Sequence, residues 1–329
     1  MTTAATPTTG AAPRWLLNIF RANLVAQVGI VVTGGLVRLT GSGLGCPTWP
    51  ECVDGSLVPT SRQEESWHKL VEFGNRTLTF LLAALAIAAV VGALVQRRQF
   101  RSAGAPARRP ILLLSAIPLL GTVAQALLGG ITVLTGLHPA VVAAHFLLSI
   151  AIIGGTAVLV ERAQDAADRP VTPLVRTELR RMAEVLVVLA LVIVVMGTVV
   201  TGSGPNSGDA DVSHRFGIDQ RVSAWIHADT VFLFVGLLAG MVLALHLVTA
   251  PARALRRAWI LVALTVANAA VGYLQLFTGL PWLAVALHML LACMTWVAVI
   301  RLRLALTRRG EDPAGAAVRI PDKEAAASR

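Results

Sequence analysis

The chain has 329 residues, of which 55% are hydrophobic and 14% charged, with a formal net charge of +10. So few polar side chains cannot cover a water-soluble domain, and the composition places the chain in lipid. The positive charge does not indicate nucleic acid, because it sits in alternate short segments between apolar runs rather than on one basic surface.

In chain order, residues 1-14 are small, mostly uncharged and unlike the basic start of a secretory leader, so they read as a tail before a retained first span. Apolar runs near 15-37, 73-95, 111-135, 139-160, 182-202, 222-248, 258-278 and 282-300 each suffice to cross a hydrocarbon core of about 30 Å. Short polar gaps leave no room for a second fold, and backbone groups in lipid must be satisfied within their own segments, so eight helices are expected. Arginines crowd the gaps after spans two, four and six and the segment after span eight (Arg97, Arg98, Arg162, Arg169, Arg256, Arg257, Arg308 and Arg309 among them). By the positive-inside rule those segments and both termini are cytoplasmic, and loops 38-72 and 203-221 lie outside.

The first outer loop carries Cys46 and Cys52, separated by the turn-rich Pro47-Thr48-Trp49-Pro50-Glu51. Outside the cell membrane disulfides persist, so a bond is expected rather than two idle thiols. Span two opens with Glu65, His68, Glu72 and Asn75, spaced at three, four and three so that they share a helix face. Glu65 is readable as a solvated helix end. Glu72, followed by Phe73 and a long apolar run, is a candidate to orient a ligand, accept a proton or stabilise cationic charge.

Spans three and four contain Thr135-Gly136-Leu137 followed by His145, and spans seven and eight repeat this as Thr278-Gly279-Leu280 followed by His288 at the same spacing. A weaker echo joins Gly29-Ile30-Val31-Val32-Thr33-Gly34 in span one to Gly197-Thr198-Val199-Val200-Thr201-Gly202 in span five. The fold expected is all-α and integral to the membrane: two tandem four-helix bundles related by a pseudo-twofold axis along the membrane normal. The halves are 15-160 and 182-304, joined by a cytoplasmic linker 161-181 and followed by a cytoplasmic tail 305-329.

His145, His288 and His227, which starts span six after Trp225, fall near the outer leaflet, and His68 holds the corresponding place in span two. One histidine in a bundle is ordinarily a hydrogen-bonded structural residue. Repeat-related histidines on facing helices suit axial ligation of haem iron, whereas zinc would need three or four converging ligands. His138, His214 and His246 read as structural or solvated, and Cys293 as a buried apolar residue.

These features resemble the haem A synthase family over nearly the whole chain, from Gly34-Gly35-Leu36-Val37-Arg38-Leu39-Thr40-Gly41-Ser42-Gly43 and the Cys46 and Cys52 pair to both histidine motifs. The resemblance implies oxidation of the C8 methyl of haem O to the formyl of haem A, with haem O in the first half and a haem b in the second. It implies His145 as a ligand in the first half, His227 and His288 as the haem b pair, Cys46 and Cys52 as the outer-loop pair, and Glu72 or Glu65 as assisting carboxylate. It also implies as partners a haem O synthase (protohaem farnesyltransferase), cytochrome oxidase assembly and an electron acceptor of unstated identity. The family pattern Glu-x-x-His-Arg appears here as Glu72-Phe73-Gly74-Asn75-Arg76, with asparagine at the ligand position, and seven residues earlier as Glu65-Ser66-Trp67-His68-Lys69. The span-two ligand is therefore His68, Asn75 or neither. The alternatives to the synthase are a bis-histidine dihaem electron-transfer cytochrome and a transporter built on parallel repeats.

Overall fold

The structure is a computed structural model that describes residues 11–61, 66–102, 109–165, 171–206, 208–209 and 214–309. Glu65 lies outside the described residues. Eight helices are long and apolar enough to cross a membrane: α1 (Arg14–Leu39), α2 (His68–Ser102), α3 (Arg109–Leu134), α4 (Pro139–Ala163), α5 (Thr177–Ser203), α6 (Gln220–Leu247), α7 (Ala252–Thr278) and α8 (Trp282–Ala305). The chain is a multi-pass membrane protein, and side chains such as Leu113, Leu120 and Leu243 stand on its outer surface where lipid would meet them.

Several helices outrun the apolar runs. The 35 residues of α2 reach about 52 Å at 1.5 Å per residue, well beyond a hydrocarbon core. The added turns consist largely of Lys, Glu, Gln and Arg, which favour the helix although they do not belong in lipid. Hydropathy therefore finds the buried length, and helix propensity sets the actual ends.

Sequence neighbours pack on each other, α1 closes on α4, and α5 closes on α8; α1 with α8, α4 with α8 and α4 with α5 join the two halves. Close approach of α4 and α8 depends on Gly154, which faces the Trp296 indole; Trp296 Nε1 donates to the Ile150 carbonyl at 2.9 Å. Both Thr-Gly-Leu turns have the same backbone, with Gly136 and Leu137 at φ 58 and 57° and Gly279 and Leu280 at φ 75 and 61°. Glycine supplies the left-handed turn without strain and a proline restarts the chain, as the first residue of α4 in one half and the N-cap of α8 in the other.

The connections gather at two ends. At one, Gly43 N–H donates to the Gly208 carbonyl at 2.8 Å, and Arg38 Nε donates to the Asn206 carbonyl at 2.7 Å, tying the first long loop to the second. At the other, Glu161 of α4 is 3% exposed and accepts from Arg253 (2.7 Å) and Arg257 (3.0 Å) of α7 and Arg301 (2.5 Å) of α8. Beside this cluster, β1 (Val171–Pro173) pairs antiparallel with β2 (Thr307–Arg309), Val171 opposite Arg309. The ladder was not expected from the sequence: it joins a linker to a tail more than a hundred residues away, and neither segment alternates in polarity.

Candidate functional site

Between the helices lies one continuous cavity of about 1850 Å³, larger than the roughly 300–1,000 Å³ of a pocket for one drug-sized molecule. Its wall is mainly apolar, and Glu72, Asn75, His145, His227 and His288 all line it. The cavity takes residues from both halves of the chain.

Each of the three histidines rests against a glycine of the preceding helix. The nearest ring atom, Cε1, lies 3.3 Å from the β-carbon position of Gly129 for His145, 3.5 Å from that of Gly197 for His227, and 3.4 Å from that of Gly272 for His288. In all three the next ring atom is Nδ1. A β-carbon would just touch the rings of His227 and His288 and crowd that of His145 slightly, so small residues at these three positions let each imidazole lie against the neighbouring helix. The carbonyl four residues before the glycine completes the pattern in the second half. His288 Nδ1 is 3.2 Å from the Asn268 carbonyl, and the Ile193 carbonyl lies beside the His227 ring. An Nδ1–H held by a carbonyl leaves Nε2 with its lone pair free, the arrangement that metal-ligating histidines use. In the first half the carbonyl's neighbour acts instead: Gln125 Nε2 donates to the His145 carbonyl (3.0 Å) and to Ser149 Oγ (2.6 Å), locking that turn of α4.

These residues fit haem on their own chemistry. Two buried rings, His145 and His227, have an Nδ1 without a hydrogen-bond partner among the described residues, so of the three only His288 has its Nδ1 tied to a carbonyl and these two remain polar groups on an apolar cavity wall. Among the described residues no three His, Cys, Asp or Glu side chains converge, whereas axial haem ligation requires no more than one or two.

The fourth place differs. Asn75 lines the cavity, and its Oδ1 accepts from Thr33 Oγ1 of α1 at 2.8 Å. His68, two turns earlier, does not line it: its Nδ1 hydrogen-bonds Ser42 Oγ at 2.8 Å and its ring stacks on Trp67 with centroids 4.0 Å apart. His138 caps α4 by accepting from Ala140 N–H (3.3 Å), and His246 Nδ1 bonds the Val242 carbonyl (2.8 Å), so both have structural positions.

Cys46 and Cys52 form a disulfide and are buried. The loop they close lies over the first half of the cavity, with Trp49 packed so tightly on Gly130 of α3 that no β-carbon would fit there. Glu72 holds this lid. Its Oε2 accepts from Cys46 N–H at 2.6 Å and its Oε1 from Arg76 Nη2 at 2.6 Å, while Arg76 donates to the carbonyls of Cys46 (2.6 Å), Thr48 (3.0 Å) and Glu51 (3.1 Å). With both oxygens engaged, the carboxylate is a positioning group for the lid. Charge-assisted bonds of this kind contribute about 2 kcal/mol. Glu72→Ala is therefore expected to raise the open population of the lid roughly thirtyfold, read as faster limited proteolysis between residues 46 and 58; an unchanged rate would remove Glu72 from this role.

The sequence reading overlooked the glycines, Trp49 and Arg38. The glycines were detectable as residues sixteen or thirty positions before each histidine, always on the preceding helix. Arg38, which lines the cavity, donates through Nη2 to the Thr201 carbonyl (3.2 Å) as well as to Asn206, partners more than 160 positions away.

Residues 18–206 match a family model described as COX15-CtaA, cytochrome oxidase assembly protein. Among curated proteins, the chain is 30% identical over 131 residues to the heme A synthase of Alkalihalophilus pseudofirmus, covering 39% of this chain and 40% of that protein. It is 33% identical over 130 residues to that of Lysinibacillus sphaericus, covering 39% and 38%, and 27% identical over 190 residues to that of Exiguobacterium sibiricum, covering 57% and 60%. The chain thus spans about two fifths of the length of the first two and three fifths of the third.

Proposed function

The chain belongs to the COX15-CtaA family of cytochrome oxidase assembly proteins, and from that premise we propose that it is a haem A synthase, oxidising the C8 methyl of haem O to a formyl group. The observation that carries this reading is the set of three imidazoles laid in one orientation on glycines around a single cavity, with the fourth place taken by a residue that is not a histidine. In the second half, 182-304, His227 and His288 would hold haem b, which when bound supplies one-electron transfer. In the first half, 15-160, His145 would hold the substrate haem. Successive oxidations at one carbon require that the substrate stay bound with its methyl fixed, and a cavity closed by the Trp49 lid serves that purpose while excluding water. Both termini and the Glu161 cluster would face the cytoplasm, where the arginines concentrate, and the disulfide loop would lie outside. A haem O synthase would supply the substrate, and cytochrome oxidase assembly would take the product.

Haem extraction from the purified full chain, followed by mass analysis, tests this. Haem A or a hydroxylated haem O is expected alongside haem b. Haem b alone would favour a dihaem electron-transfer cytochrome, and absence of haem would sink both readings.

A further inference from the structure

Resting on the haem reading of the cavity, we propose that the first half offers the iron one protein ligand, His145, and opposite it a hydrogen-bond donor, the Asn75 amide, leaving the sixth coordination position open to an exogenous diatomic ligand.

Asn75 stands where the second half has His227. Both are followed by Phe-Leu at the same spacing, Phe80-Leu81 and Phe232-Leu233. Each is matched by a glycine in the preceding helix through the repeat, Gly29 for Asn75 and Gly197 for His227. Gly197 is in contact with the His227 ring, whereas the α1 glycine that lines the cavity beside Asn75 is Gly34, whose β-carbon position lies 3.7 Å from Asn75 Nδ2.

Asparagine does not replace imidazole as a ligand. The lone pair of its nitrogen is delocalised into the carbonyl, so Nδ2 is a donor only, and the single acceptor atom, Oδ1, is taken by Thr33 Oγ1 at 2.8 Å. The Thr33 bond turns Oδ1 toward α1. Nδ2 makes no hydrogen bond to any described residue, and Asn75 lines the cavity. The other groups at this end of α2 are engaged elsewhere: His68 with Ser42 and Trp67, Glu72 with Cys46 and Arg76. A donor beside an open position is the arrangement by which a haem pocket favours a polarisable diatomic, since the N–H bonds the outer atom as negative charge builds on it. The two haem places therefore differ in kind: His227 with His288 close both axial positions, and His145 with Asn75 close one.

The test uses the full chain, purified from cells supplied with haem O, and carbon monoxide as probe. Haem content is measured by extraction, ligation by electron paramagnetic resonance and by the reduced-minus-reduced-plus-carbon-monoxide spectrum. The wild-type protein is expected to hold a low-spin haem indifferent to carbon monoxide and a high-spin haem that binds it, the second lost in His145→Ala. Asn75→His, which restores an imidazole at this place, is expected to reduce the carbon monoxide response at least tenfold and convert the high-spin signal to low-spin. Asn75→Leu is expected to keep the response but shift the bound C–O stretching frequency, because the donor is gone. Retention of the low-spin haem shows that each variant has folded. If Asn75→His fails that control, the wild-type response and the Asn75→Leu shift decide. Two haems in the wild type with neither responding would overturn this inference and leave the proposed function standing. A single haem, lost on replacing His227 or His288 and silent to carbon monoxide, would overturn both.

Discussion

Replacing His288 with alanine is expected to empty the second half of haem b, reducing the low-spin haem signal to background, while His145→Ala abolishes product and leaves that signal intact. The division follows from placement. His288 Nδ1 meets the Asn268 carbonyl, its ring rests on Gly272, and it lines the same cavity as His227, the two imidazoles assigned to haem b in the proposed function. On the proposed function, removing one ring would take away an axial ligand and leave a cavity that the carbonyl partner cannot fill. His145 has a different setting: its ring rests on Gly129, its turn is locked by Gln125, and Asn75 is the α2 residue proposed to share its haem place. Low-temperature spectra of the two purified variants, with product analysis by mass, check the prediction. Loss of haem b in His145→Ala with retention in His288→Ala would reverse the assignment of the halves.

The second large effect concerns stability. Glu161→Ala is expected to destabilise the protein by about 3 kcal/mol, the lower part of the range for removing one partner of a buried ion pair, with a corresponding fall in Tm in detergent. The lower part applies because the partners are unequally buried: Arg257 is 12% exposed but Arg301 and Arg253 are 38% and 48% exposed, and water screens those two. Without the carboxylate, three guanidinium groups face one another at the junction of α4, α7 and α8. Restoring volume without charge, as in Glu161→Gln, is expected to recover little, since repulsion rather than packing dominates. A variant melting within a degree of wild type would show that water already relaxes the cluster.

The features legible in the sequence are those carried by local pattern. Eight spans follow from hydropathy, since a helix in lipid must satisfy its own backbone and cover itself with apolar side chains whatever its neighbours are. The Cys46–Cys52 bond was legible because the five residues between the cysteines include two prolines and let the chain fold back on itself. The two Thr-Gly-Leu turns with His145 and His288 were legible because a gapless repeat preserves depth, and the structure gives both turns the same left-handed backbone.

What required the tertiary structure involves partners far apart in sequence. Glu161 and Arg301 are 140 positions apart, and neither is unusual where it stands. Glu72 was singled out by its place before an apolar run, but its partners, the Cys46 N–H on Oε2 and Arg76 on Oε1, come from the folded lid loop and the next turn of α2. His68 against Asn75 is the clearest case. Seven residues are two helical turns, so both project from the same face of α2, about 10 Å apart, and periodicity cannot choose between them. The loop chooses. Gly45 packs on the backbone of His68, Ser42 binds its ring, and the upper turn of α2 is thereby sealed against the loop, leaving Asn75 as the one of the two that lines the cavity.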